Sequence, residues 1–151
     1  MTTVVRRGVL AVLLLVVLAG CRAAAGDPTF IRLVVADGNL RKEGVECAGA
    51  GPFRDYHRGA RFVVEDRHGT VLAEGELPAG VSQNAAPGVE WKTERMPTVC
   101  VMDLRVAGLP ADAPSEEAAG YRLRVGDRDP LPLDASEPSS ASDPLVVLVQ
   151  G

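Results

Sequence analysis

Three residues able to do chemistry are consecutive in this chain: Asp55, Tyr56 and His57. A carboxylate, a phenol and an imidazole are groups from which acid–base pairs and polar binding sites are built. If the stretch is extended, Asp55 and His57 share one face and Tyr56 takes the other. That makes it the leading local candidate for a binding site. The alternative is a surface turn capped by Asp55, with His57 in solvent. A more scattered set is Ser82 with His57 or His68 and Asp55, the residue types of a Ser-His-Asp triad, but no nucleophile motif surrounds Ser82. His57, Asp66 and His68 are ligand-type side chains without metal-ligand spacing. Gly44, Gly49 and Gly51 form a glycine-rich stretch that lacks the Gly-Lys-Ser/Thr ending of a phosphate loop. On these grounds no catalytic residue, metal site or cofactor is assigned.

The three cysteines say more. Cys21 follows Leu18-Ala19-Gly20 at the end of the aliphatic run Gly8 to Leu18, which itself follows Arg6 and Arg7. Positive charge, apolar run, small residues and cleavage point is the order of an export signal. The run is shorter than the roughly 20 apolar residues that span a bilayer. The segment resembles the lipobox of bacterial lipoprotein precursors. That resemblance implies a thioether-linked diacylglycerol on Cys21, cleavage just before it and residence on the outer face of the cytoplasmic membrane. Plain secretion with cleavage after Ala25 is the competing reading, since Ala23, Ala24 and Ala25 are also small. Of the two export routes, Val5 before the paired arginines favours the general one over the twin-arginine one. Two acyl chains on one residue suffice for stable anchoring. Cys47 and Cys100 then remain, and in an exported protein an even pair is expected to form a disulfide.

Residues 1–20 therefore read as a leader, 21–29 as a lipidated tether and 30–151 as one domain. About 130 residues remain after cleavage, enough for a single core. The chain has 16 Lys and Arg against 20 Asp and Glu. Loss of Arg6 and Arg7 leaves 14 against 20, a formal charge of −6. The signs are interspersed, which argues against nucleic acid as a partner and for a solubilising surface. Aromatic residues are 4% of the chain, so extended sugar- or base-stacking platforms are not expected. The lone tryptophan, Trp91, either marks a binding surface if exposed or pins its loop if buried.

The elements that must position these residues are strands. Helical periodicity is nearly absent after the leader. Phe30 to Ala36 is β-rich and bounded by the turn residues Asp37, Gly38 and Asn39. Ala60 to Asp66 and Thr70 to Glu74 form a hairpin across a turn ending in Gly69, with Phe62 and Val64 facing inward. Leu77 to Arg95 reads as a long polar loop holding Trp91. In Thr98 to Ala107, Cys100, Met102, Leu104 and Val106 alternate with polar or outward residues. In Gly120 to Gly126, Tyr121, Leu123 and Val125 face in while Arg122 and Arg124 face out, to clamp an anion or balance acids such as Asp103. Pro132 to Asp134 extends as a short edge strand, Glu137 to Asp143 is a Ser- and Pro-rich loop, and Leu145 to Val149 is the last strand. This spacing predicts an all-β fold, a small antiparallel β-sandwich of about seven strands, Ig-like or transthyretin-like.

Two further resemblances bear on the domain. The pattern Cys47, Gly49, Gly51, Phe53, Asp55, Gly59, Phe62, Val64, then Asp66, Gly69, Val71, Leu72 and Ala73, then Cys100, Gly120 and Tyr121 resembles small actinobacterial lipid-anchored proteins with no assigned activity. The strand, Asp-x-x-Gly, strand unit with a later Gly-Tyr strand is similar to carboxypeptidase regulatory-like and transthyretin-like modules. The expected function is a non-enzymatic cell-envelope lipoprotein whose sandwich binds an envelope protein or a small ligand, with Asp55, Tyr56, His57 and Trp91 as candidate contacts. Its partners are then the membrane, through the anchor, and that ligand, without nucleic acid or cofactor. The alternatives are a structural spacer or assembly subunit that uses the C-terminal edge strand for β-addition, and an extracytoplasmic hydrolase with its site near Asp55 and His57.

Overall fold

The computed structural model describes residues 28–107, 109, 120–133, 140 and 142–149. Cys21, the leader and all but the end of the tether lie outside the described residues, as do most of the segments expected as loops at 108–114 and 137–143. The described part is all-β. Its strands are β1 (Thr29–Arg41), β2 (Glu46–Cys47), β3 (Arg61–Glu65), β4 (Val71–Glu76), β5 (Gly80–Asn84), β6 (Met96–Val106), β7 (Tyr121–Val125), β8 (Leu131–Leu133) and β9 (Leu145–Val149). They form a five-stranded sheet in the order β2-β5-β6-β1-β9 and a four-stranded sheet in the order β4-β3-β7-β8. One 3-10 turn, Gly51–Phe53, is the only helical piece among the described residues.

Alternation builds the space between the sheets. Ile31, Leu33 and Val35 from β1 and Cys100, Met102 and Leu104 from β6 point inward and are buried. Phe62 and Val64 from β3 and Tyr121, Leu123 and Val125 from β7 meet them from the second sheet. A strand whose apolar residues recur every second position buries one face only by stacking it on another such face.

Four expectations change. The residues Asp37, Gly38 and Asn39 do not end β1. The ladder with β6 runs Ala36 to Val99 and resumes at Leu40 to Pro97, so the three make a bulge. Gly38 takes φ +63°, and the Asp37 carboxylate accepts the Asn39 N–H at 3.0 Å, an Asx turn folded into a strand. The strand continues because β6 continues beside it. Secondly, the stretch Leu77 to Arg95 is not one loop, since β5 lies within it. Gly80–Asn84 is short and polar, and its strand state comes from pairing with β6 on one side and β2 on the other. Thirdly, the pairing is not wholly antiparallel: β9 runs parallel to β1, Leu33 beside Val147. Finally, the described residues form nine strands where about seven were expected; β5 and the two-residue β2 account for the excess. The Asp66–Gly69 hairpin turn forms as expected, with Gly69 at φ +82°.

Cys47 and Cys100 form a disulfide within the core. They are 53 residues apart, so the link removes about 4 kcal/mol of chain entropy from the unfolded state in the loop-closure account. The bridge rests on Gly80, which pairs with Cys47 in the β2–β5 ladder. A Cβ at Gly80 would collide with the Cys100 sulfur and approach the Cys47 carbonyl oxygen to 2.9 Å. Glycine is needed there for room. Gly80→Ala is expected to cost roughly 1–3 kcal/mol in urea unfolding. Much of that penalty should vanish in the Cys100→Ala background, a coupling read from the four-member mutant cycle.

Candidate functional site

The Asp55-Tyr56-His57 segment is not a strand. It follows the 3-10 turn in a compact crossing held by backbone bonds, Gly49 N–H to the Tyr56 carbonyl at 2.7 Å and Ala60 N–H to the His57 carbonyl at 3.0 Å. The three side chains therefore diverge. Tyr56 is buried, 2% exposed, within the core cluster. Asp55 is exposed and pairs with Arg128 of the β7–β8 turn at 3.5 Å. The Arg128 guanidinium also lies 5.8 Å from the centre of the Tyr56 ring. His57 is exposed, and its Nδ1–H donates to the carbonyl of Arg58 at 2.9 Å. This arrangement latches the crossing to the second sheet, and it leaves Asp55 and His57 each with a partner other than the other.

The remaining reactive side chains are spread out. Ser82 is wholly buried; its hydroxyl donates to the Lys42 carbonyl at 2.7 Å and accepts the Val45 N–H at 3.1 Å. It closes the β1–β2 connection onto β5. His68 sits in the β3–β4 turn and accepts from Arg67 Nε at 3.1 Å. In the same turn Asp66 accepts the N–H of Thr70 at 2.8 Å and of His68 at 2.7 Å. Those two bonds, Thr70 first, hold its carboxyl below the usual aspartate range. Among the described residues no group of three or more His, Cys, Asp or Glu side chains is placed to hold a metal ion.

The outward arginines of β7 are engaged. Arg122 donates to the carbonyls of Asp66 and Arg67, and Arg124 pairs with Glu65 at 3.3 Å. Asp103 is instead taken by Arg32 across the β1–β6 ladder, at 2.7 and 3.0 Å. The face around Arg124 forms an open groove of about 470 Å³ lined by Arg61, Val63, Glu74, Glu76, Arg124 and Asp127. Its mixed charges suit a polar ligand. Trp91 lies between β5 and β6 and is exposed, at 38%, so it does not pin its loop by burial and stands on the surface. The groove was not visible in the sequence. Its signal is Arg61 opposite Glu76 and Val63 between Glu74 and Arg124, which needs the register of three strands.

The sheet margins are the other feature with a functional bearing. Among the described residues, three of the four are guarded. β2 has two residues, β8 has three with Pro132 at its centre, and β4 carries Glu74 and Glu76. Short length, proline and charge are the devices that stop edge strands from pairing with other chains. β9 has none of them. Its five residues are Leu, Val, Val, Leu and Val, with Val147 and Val149 buried and Val146 and Leu148 60% and 56% exposed.

Comparison with known proteins finds no matching family model, no matching curated protein and no matching solved structure.

Two outcomes test this description. Tyr56→Ala should cost about 3–5 kcal/mol, as for other large aromatic truncations, while Asp55→Asn and His57→Ala stay below about 1 kcal/mol in chemical unfolding. Asp66 should also give the β3–β4 turn an acid-sensitive contribution. Because its folded-state pKa is depressed, that contribution is complete above the unfolded value, about 3.9, and is lost as pH falls through the folded value. The melting-temperature gap between the parent and Asp66→Ala should therefore be constant near neutral pH and shrink below about pH 4.

Proposed function

We propose that the chain is an exported lipoprotein, anchored through Cys21, whose sandwich is a protein-interaction module of the cell envelope. The observation that carries the reading is the unguarded edge of β9. A strand margin with no described strand beside it, carrying exposed Val146 and Leu148, is a template for strand addition. Two further features support it. The buried Cys47–Cys100 disulfide accords with an oxidising compartment. The Leu18-Ala19-Gly20-Cys21 sequence supplies the attachment point, and the wider cysteine–glycine pattern resembles small actinobacterial lipid-anchored proteins.

A second reading has its own observation. The mixed-charge groove over β3, β4 and β7 has the volume of a small-molecule site. In that case the domain takes a small polar, zwitterionic ligand on the second sheet, and β9 is incidental.

The reading is tested by membrane fractionation of cells making the parent chain or Cys21→Ala. The parent is expected in the membrane fraction with acyl chains on Cys21 by mass spectrometry, and Cys21→Ala in the soluble exported fraction. Recovery of the parent as a soluble protein cleaved after Ala25 overturns the anchoring.

A further inference from the structure

We infer that the partner of β9 is a second copy of this chain, paired antiparallel about a two-fold axis through Val147. This deepens the interaction reading above and rests on it.

The strand fits itself. Antiparallel pairing centred on Val147 sets Val146 opposite Leu148 of the second copy and Leu145 opposite Val149. Val146 and Leu148 share the outer face with Val34 of β1, which stands beside Leu148 in the parallel ladder. The exposed apolar residues of one copy thus cover those of the other, and the side of β9 away from β1, beside which no described strand lies, gains a partner. Charge fixes the direction. Asp143 is exposed just before β9. A parallel, in-register pair would set it beside the same aspartate of the second copy, a like-charge contact that antiparallel pairing removes.

Closure selects the copy over other occupants. A foreign strand that adds to β9 presents its own outer edge in turn. A second copy brings a whole sheet, so the merged sheet runs from one guarded β2 to the other. Symmetric association then stops at two. The chain's segments at 110–119 and 134–139 are rich in Pro, Ser and acids and match this apolar edge poorly. The apolar leader departs with cleavage under the lipoprotein reading.

The test uses the full-length chain in cells and in detergent. Cysteines at Val146 and Leu148 face each other across the proposed axis, within disulfide reach, whereas Val146 and its own copy are diagonal and about 8 Å apart. The double variant Val146→Cys/Leu148→Cys is expected to give covalent dimer on a non-reducing gel. Each single variant should stay at the background of the parent. Light scattering in detergent should give a dimer for the parent and a monomer for Leu148→Lys. Both positions are exposed, so the fold tolerates the changes. A monomeric parent, or no crosslink in the double variant, overturns the second copy as partner. A photo-crosslinker at Val146 then separates the two claims. If it traps a different envelope protein, the copy is wrong and the interaction module stands; if it traps nothing, both fall.

Discussion

The pairing of β1 with β6 is the constraint on which the rest of the described structure depends. These are the two longest strands, and they lie side by side in the middle of the five-stranded sheet. Their register aligns Leu33 with Met102 and Val35 with Cys100, all four wholly buried. Slipping it by one residue would turn Cys100 to solvent and take the disulfide with it. β5 and β2 hang from one side of this pair and β9 from the other. The Asp37 bulge is tolerated because the ladder resumes beyond it. Its cost is a buried carboxylate, which Asn39, Thr98 and Arg41 surround; Arg41 Nε lies 3.3 Å from Asp37 Oδ2 without the alignment of a hydrogen bond.

How much of this was legible in the sequence follows from where the information sits. β6, β7 and the β3–β4 hairpin alternate cleanly, and their inward faces follow from period two alone. The disulfide followed from counting cysteines. β5 was illegible because Gly80, Ser82, Gln83 and Asn84 have weak strand preference. What makes it a strand is the free side of β6 together with the room that Gly80 leaves for the bridge. The bulge was misread for the converse reason. Asp37, Gly38 and Asn39 do form the local turn their types favour, but a partner strand on both sides of it decides that the chain goes straight on.

The candidate site shows the same division. Adjacency of Asp55, Tyr56 and His57 suggested a shared surface, yet the core had room for the phenol. Burying Tyr56 forces its neighbours outward to different partners. Their types were visible; their directions depended on a 3-10 turn and on Arg128, far along the chain. The mixed-charge groove is made of three strands, so no single stretch announces it. The edge strand was the opposite case. Leu145 to Val149 is plainly apolar in sequence, and what the structure adds is that, among the described residues, every other sheet margin is guarded while this one is not.

Taken together with the anchor proposed at Cys21, the proposed two-fold would constrain how the strands lie at a membrane. Val147 pairs with Leu33, and Thr29 lies four residues earlier on β1. At about 3.3 Å per residue, each copy's Thr29 stands about 13 Å from the axis along the strands, in opposite directions, so the two are about 26 Å apart in that direction. The eight residues from Cys21 to Pro28 reach at most about 28 Å. If the strands stood upright on the bilayer, one tether would have to be almost fully stretched. With the strands lying along the surface, both anchors reach the same leaflet with slack. Under the anchoring proposed above, a dimer closed through β9 would therefore hold its strands along the bilayer rather than upright on it.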